Sequence, residues 1–362
     1  MSQSTTHSRL QGPASLVAVA TILLASVCQA QQPQRDRDQL SEPVYRVSNA
    51  RTDTTQSTAR QLDVERDYLA HLTAQERQHP LAPALHKAYL GLNELNGSLV
   101  DYSATLVKRE RVDGKLLDHE YIFAKVRQEQ RDANGNITVP FGVYMHFVGP
   151  NKIKGRECLW IRGENKGKMV AHEGGKIMSL VSVWLHPTSP LAMKGNRYPI
   201  SEIGIQNLIV KLIEKTERDI RTDDCEVKFF ENAKVAGRSC TCIQVMHQVK
   251  RAPFDFYLAR VFVDNQLKLP IRYAAWEWPT RKGGAPVLLE EYTYTNLKIN
   301  NNFTDADFSY KNKQYSFNSI LVEVHHHNFK AALLQILYHV SAHQSETDET
   351  NDWFRHSHYS VS

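Results

Sequence analysis

The sequence lacks the short motifs that mark most catalytic and nucleotide-binding sites. Its 362 residues contain no GxSxG, HExxH, P-loop or GxGxxG pattern. They also contain no CxxC pair, the usual spacing of a structural zinc site. The adjacent carboxylates Glu290 and Glu291 would point to opposite faces of a strand, so they cannot act as a catalytic pair. The sequence therefore predicts no enzyme, no metal site and no cofactor.

Long apolar runs and extreme charge are missing as well. No apolar run reaches the ~20 residues that a membrane-spanning helix needs. Hydrophobic residues make up 41% and charged residues 23% of the chain, which excludes disorder as its main state. The net charge of +5 is mild and excludes neither lipid nor acidic partners.

One N-terminal segment has the pattern of an export signal. Within residues 1–30, the single cation Arg9 precedes the apolar run Ala14–Val27, and small residues follow near the expected cut before Gln31. Lipidation of Cys28 is the alternative processing event, although Val27 stands where a lipobox prefers a small residue. Both interpretations place the protein outside the cytoplasm, in the periplasm or cell envelope.

Composition divides the rest of the chain into three parts. Residues 31–80 are polar and predict a flexible leader. Residues 81–317 carry the apolar periodicity expected of a folded domain. Residues 318–362 hold 7 of the 16 histidines and predict a disordered His-rich tail, with metal binding by the tail as the alternative.

The central part is dominated by strand patterns. Alternating apolar residues recur in short runs, and Asp113-Gly114 and Asn134-Gly135 predict tight hairpin turns. Helical spacing is found in only two places, between Leu81 and Leu95 and between Ile205 and Thr216. Short links make strands antiparallel, and two helices are too few for a parallel sheet. We expect a mainly β (α+β) fold, a curved antiparallel sheet that forms an incomplete barrel with two packing helices.

Four cysteines remain beyond the export signal, and an even number permits disulfides in an oxidising compartment. They are Cys158, Cys225, Cys240 and Cys242. A bridge from Cys225 to Cys240 or Cys242 across a hairpin is the most available pairing, and buried free thiols are the alternative.

Several strings in the central part resemble one uncharacterised exported family, called domain of unknown function 1571. The resemblance lies in Asp101–Arg111, Pro199–Leu208, Leu269–Tyr273 and Glu290–Leu297, and it spans roughly Leu81–Phe317. This layout is in turn similar to the lipoprotein-carrier fold of the bacterial periplasm (LolA/RseB-type). That likeness implies an incomplete barrel around an apolar cavity and a lipid or lipoprotein as partner.

The residues themselves suggest where an apolar ligand would bind. A strand face and a helix face would line the cavity, with six candidate ligand-binding residues: Phe141, Val143, Met145, Phe147, Leu208 and Leu212. Three basic residues near a hairpin tip are candidates for binding head groups: Lys152, Lys154 and Arg156. The main hypothesis is a non-enzymatic carrier or sensor of a lipid or lipoprotein acyl chain.

The alternative is a structural or sensory module with a packed interior, whose partner is another envelope protein. Aromatic residues also lie among basic ones, as in some nucleic-acid platforms. Export argues against a nucleic-acid partner, and aromatic residues on strands usually serve sheet packing.

Overall fold

The computed structural model describes residues 40–47, 67–174, 181–222, 225–318 and 320–323. These residues include four α-helices, which we number in chain order. They are α1 (Ala74–Arg77), α2 (Ala82–Ser98), α3 (Pro190–Met193) and α4 (Ile205–Asp219).

Strands make up most of the remaining regular secondary structure. They are β1 (Tyr45–Arg46), β2 (Asp101–Val112), β3 (Lys115–Leu116), β4 (Glu120–Arg127), β5 (Gln130–Arg131), β6 (Ile137–Val139), β7 (Gly142–Gly149), β8 (Glu157–Ile161), β9 (Met169–His172), β10 (Val181–Leu185), β11 (Glu226–Val235), β12 (Arg238–Met246), β13 (Leu258–Asp264), β14 (Pro270–Glu277), β15 (Val287–Ile299) and β16 (Ile320–Glu323).

One large sheet organises these strands. Its order is β1-β11-β12-β13-β14-β15-β2-β4-β7-β8-β9-β10-β16, with β3 added beside β2 and with β5–β6 as a separate hairpin. Every described pairing is antiparallel except that of β10 with β16. Because β1 and β16 end the sheet without pairing to each other, the barrel is not closed. The predicted mainly β class and incomplete barrel are confirmed.

The inner face of the sheet, defined by Tyr102, Val126 and Val143, carries the main apolar core. Helix α4 forms there because Ile205, Ile209 and Ile213 recur at helical spacing, and all three are buried in this core. Helix α2 lies beside α4, and the Gln206 side-chain amide donates a 2.8 Å hydrogen bond from α4 to Asn96 of α2.

The outer face is covered by segments from near both ends of the described chain. Phe308, Tyr315 and Phe317 pack against the outer side of β7–β9. Val47 packs over the outer side of β11–β14. Both faces of the sheet are therefore partly buried, which explains why the burial pattern of β7 shows almost no polar alternation.

Part of the predicted leader and tail has defined structure. Leu72 belongs to the main core, β1 lies on the edge of β11, and β16 lies beside β10. The segment predicted to be an export signal and the histidines of the tail lie outside the described residues, so the proposed domain boundaries stay a prediction. In the part of the chain that the structure describes, we find no helix with the length and apolarity that a bilayer crossing requires.

Cys158, Cys225, Cys240 and Cys242 are free thiols. The hairpin bridge from Cys225 is absent because β11 and β12 pair in a register that places Cys242 opposite Phe230. Cys225 precedes Phe230 by five positions, roughly 16 Å along a strand, which is far beyond the reach of a disulfide.

Helix α4 begins directly after a glycine whose backbone conformation other residues avoid. Gly204 has φ 132° and ψ 152°, and the next N–H, that of Ile205, donates a 2.9 Å hydrogen bond to the buried Tyr102 hydroxyl. A Cβ at Gly204 would make only ordinary contacts, the nearest at 3.5 Å, so backbone conformation is the constraint here.

We predict that Gly204→Ala lowers the free energy of unfolding by about 1–3 kcal/mol, because alanine disfavours this backbone region. The matched control is Gly97→Ala in the last turn of α2, where a Cβ meets no atom within 4 Å and φ is not positive. There alanine should stabilise the protein by up to about 1 kcal/mol. Urea unfolding of both variants measures the difference, and equal effects would contradict this account.

Candidate functional site

The largest of the described cavities lies on the inner face of β2, β4 and β7–β10. This cavity, called cavity A, has a volume of about 510 Å³, which is within the usual range of small-molecule sites. Its wall is mostly apolar. Representative lining residues are Leu106, Ile122, Met145, Phe147, Met169 and Val183.

Charged residues lie at one end of cavity A only. This charged end lies at the edge of the sheet where β2 and β7 finish and β4 and β8 begin. Lys108 lies opposite Glu120 across β2 and β4, and Arg156 lies next to the start of β8. The interior of cavity A is thus apolar, and its polar lining is concentrated at one edge of the sheet.

A buried ion cluster forms the inner part of this charged end. Lys108 Nζ lies 3.1 Å from a carboxylate oxygen of Glu110 and 3.1 Å from one of Glu120. Burial acts to lower the pKa of Lys108, but the two carboxylates outweigh it and raise that pKa above its ordinary value. Lys108 therefore stays charged at neutral pH.

The segment between α3 and α4 is bonded to this ion cluster. The Lys108 ammonium donates a 2.6 Å hydrogen bond to Asn196 Oδ1, and the Arg197 backbone N–H donates one of 3.2 Å to Glu110. The Arg197 guanidinium also donates to Glu290 at 2.9 Å, as does the Tyr198 hydroxyl at 3.2 Å. The cluster thus holds residues 196–198 over the inner face of β2 and β15.

Two ion pairs form the exposed part of the charged end. Lys152 Nζ lies 2.8 Å from Asp118, and Arg156 Nε lies 2.9 Å from Glu173. The hydrogen bond from Lys152 lowers the pKa of Asp118, so this carboxylate is ionised at neutral pH. Both cations in this part of the charged end are therefore paired with a carboxylate.

The predicted ligand-binding residues do not all reach one cavity. Met145 and Phe147 line cavity A, whereas Phe141 and Val143 share their strand face and are buried in the core. Leu208 and Leu212 pack instead toward Phe256 and Tyr273, on the other side of α4. Their role in binding stays a prediction.

The three basic residues predicted to bind head groups are also divided. Lys152 and Arg156 line cavity A, whereas Lys154 is exposed and does not line it. Sequence reasoning missed their acidic partners, Asp118 and Glu173, because each lies in a different loop or strand end. The available signal was the period of two along β2, which places Lys108 and Glu110 on the same face as Leu106.

A second cavity, called cavity B, lies between the two long helices and β12–β14. It has a volume of about 270 Å³, and its lining includes Ala84 of α2, Leu212 of α4 and Val261 of β13. Cavity B is smaller than cavity A and lies beside the half of the sheet that the helices cover.

Two possible reactive features, a metal cluster and the thiol in cavity A, can be checked among the described residues. Among them, no group of three His, Cys, Asp or Glu side chains is placed to hold a metal ion. Burial raises the pKa of the Cys158 thiol in cavity A to about 12, so the reactive thiolate is scarce at neutral pH. Cavity A can accommodate an apolar group and contact a polar one at its charged end.

An open antiparallel sheet with helices on its inner face and a partly apolar cavity defines the fold class of this chain. Residues 99–317 match the model of a family described as "Protein of unknown function (DUF1571)", and the chain belongs to this family. The resemblance seen in the sequence is thereby confirmed. No curated protein matches the chain.

Solved structures with a similar backbone come from several bacteria. A DUF1329 family protein from Desulfovibrio piger is 14% identical, with 64% of this chain and 98% of that chain covered and a TM-score of 0.32. The lipoprotein LppX of Mycobacterium tuberculosis is 13% identical, with 60% and 98% covered and a TM-score of 0.32. MucB in the MucA/MucB complex of Pseudomonas aeruginosa is 12% identical, with 62% and 60% covered and a TM-score of 0.33.

We predict that Lys108→Ala destabilises the protein by about 3–5 kcal/mol, because it leaves two carboxylates in a buried site without their cation. Lys152→Ala serves as the control, since it removes an ammonium from an ion pair that is exposed to solvent and should change stability little. Chemical denaturation of both variants provides the measurement. A Lys108→Ala protein as stable as the control would show that the cluster is not energetically coupled.

Proposed function

We propose that this protein is an exported, non-enzymatic binding protein that holds an apolar chain, such as the acyl chain of a lipid or lipoprotein, in cavity A. The observation that carries the proposal is the combination of a 510 Å³ cavity with an apolar interior and a single charged end. An amphiphile has the same division between an apolar chain and a polar head.

The energy for such binding comes from removing the chain from water. Each buried methylene contributes about 0.8 kcal/mol, so a few of them exceed the contribution of any exposed ion pair at the opening. Met145, Met169 and Phe147 suit this role because thioethers and aromatic rings pack well against flexible chains. The cavity would therefore bind by shape and apolarity.

The alternative, a module with a packed interior that binds an envelope protein, is less well supported by the inner face. Phe141 and Val143 are packed as that alternative requires, but the neighbouring Met145 and Phe147 border open volume. A module with a fully packed interior would not be expected to contain a cavity with a charged end.

The test fills each cavity separately with a larger side chain. Ala171 lies on β9 in the wall of cavity A, and Ala84 lies on α2 in the wall of cavity B. Ala171→Phe should weaken binding of the neutral dye N-phenyl-1-naphthylamine by roughly tenfold or more, since excluding two methylene equivalents already costs about 1.6 kcal/mol. Ala84→Phe should leave dye binding unchanged.

Binding is measured by dye fluorescence on the full chain, and circular dichroism checks that both variants are folded. Mass spectrometry of protein purified from the cell envelope tests for a co-purified lipid. If the unmodified protein binds no dye and carries no lipid, the proposal is wrong. If Ala84→Phe rather than Ala171→Phe abolishes binding, the ligand site is cavity B.

A further inference from the structure

The charged end of cavity A also restricts the head group of the ligand, and this inference rests on the proposed function. We infer that the ligand is an amphiphile whose head group carries no net charge, as in a zwitterionic lipid, and not a free fatty acid or an anionic phospholipid. The argument uses the orientation of the ligand and the charge balance of the lining.

The orientation follows from where the charges lie. The lining at depth consists of apolar residues such as Ile122, Met145 and Val183, and ionised groups there would lose water without gaining a partner. The polar head therefore lies at the end that carries Lys108, Glu120 and the two exposed ion pairs.

Among the described residues, the lining at that end is electrically balanced. Its basic residues are Lys108, Lys152, Arg156 and Lys194, and its acidic residues are Glu110, Asp118, Glu120 and Glu173, four of each. A cavity selective for an anion would present an excess of cations, since unpaired positive charge is what raises affinity for a phosphate or carboxylate. The part of the lining that the structure describes has no such excess.

The ion pairs at the charged end also weaken the attraction of their basic residues for an anionic head group. Lys152 and Arg156 each have a carboxylate within 2.9 Å, so an anionic head that approaches either cation also meets the negative charge of Asp118 or Glu173. A zwitterionic head can complement both charges of a pair: its anion faces the cation and its cation faces the acid.

The buried inner cluster strengthens this selection. There one ammonium, that of Lys108, faces two carboxylates, those of Glu110 and Glu120. Like charges repel more strongly in a buried site, where water and salt screen them less. An anionic group that enters this far is repelled, whereas an uncharged or zwitterionic group is tolerated.

The test compares three single-chain amphiphiles with the same fluorescent acyl chain and different heads, below their micelle-forming concentrations. The heads are phosphocholine, phosphoglycerol and trimethylammonium. We expect the full chain to bind the phosphocholine probe roughly fivefold more tightly than either charged probe, the scale set by one exposed ion pair. Equal or tighter binding of phosphoglycerol would overturn the inference.

Two substitutions then change the charge balance without altering the apolar wall. The double variant Asp118→Asn with Glu173→Gln frees Lys152 and Arg156, and it should reverse the preference toward phosphoglycerol. Asp67→Asn is the matched control, because Asp67 forms an exposed ion pair with Arg77 at 2.7 Å and does not line cavity A. The control should keep the preference of the unmodified protein.

These outcomes separate the inference from the proposed function. If all three probes bind equally and the double variant changes nothing, the head-group inference fails while apolar binding in cavity A stands. If no probe binds and the neutral dye does not bind, the proposed function fails and the inference fails with it.

Discussion

The fold depends on covering the apolar inner face of a sheet that does not close into a barrel. A closed barrel would enclose its own interior, but here β1 and β16 end the sheet on opposite sides. The inner face must be covered by other elements, and α2 and α4 cover only part of it. Over the part formed by β7–β10, the covering element is the segment that carries α3 and residues 196–198, and cavity A is the volume left between them.

Helix α4 has a central position because its two sides serve different parts of the sheet. Ile205, Ile209 and Ile213 belong to the main core, whereas Leu208 and Leu212 pack toward the cluster around Tyr273. This division follows from helical geometry, since residues three and four apart lie along one stripe and a broad apolar face spans two neighbouring stripes. The same division is consistent with α4 lining cavity B and not cavity A.

The sequence was sufficient for the fold class and for the faces of single elements. Alternation identified the inner face of β7, and Asp113-Gly114 predicted a turn in which both residues indeed have positive φ. These features are local, so a short window of sequence contains them. Long-range pairing was not predictable in the same way, because the neighbours β2 and β15 lie almost two hundred residues apart.

Even less of the candidate site than of the fold could be predicted from the sequence. Periodicity assigns a residue to a face but does not show whether the space beyond that face is filled, so Phe141 and Phe147 looked equivalent in sequence. Only Phe147 borders cavity A. Likewise, the cations Lys152 and Arg156 stand out in the chain, whereas Asp118 and Glu173 become relevant only when folding brings them within ion-pair distance.

A gain in stability does not by itself account for the buried cluster around Lys108. Bringing one ammonium and two carboxylates out of water costs free energy that their mutual attraction only partly offsets, and apolar side chains of similar size would often stabilise the sheet as well or better. The cluster does two things that apolar residues would not do. It fixes Asn196 and Arg197 through hydrogen bonds from Lys108 and to Glu110, and it gives cavity A a polar end. An apolar cavity with a polar end is what the proposed amphiphilic ligand requires, because under that proposal its head group would set its position along the cavity.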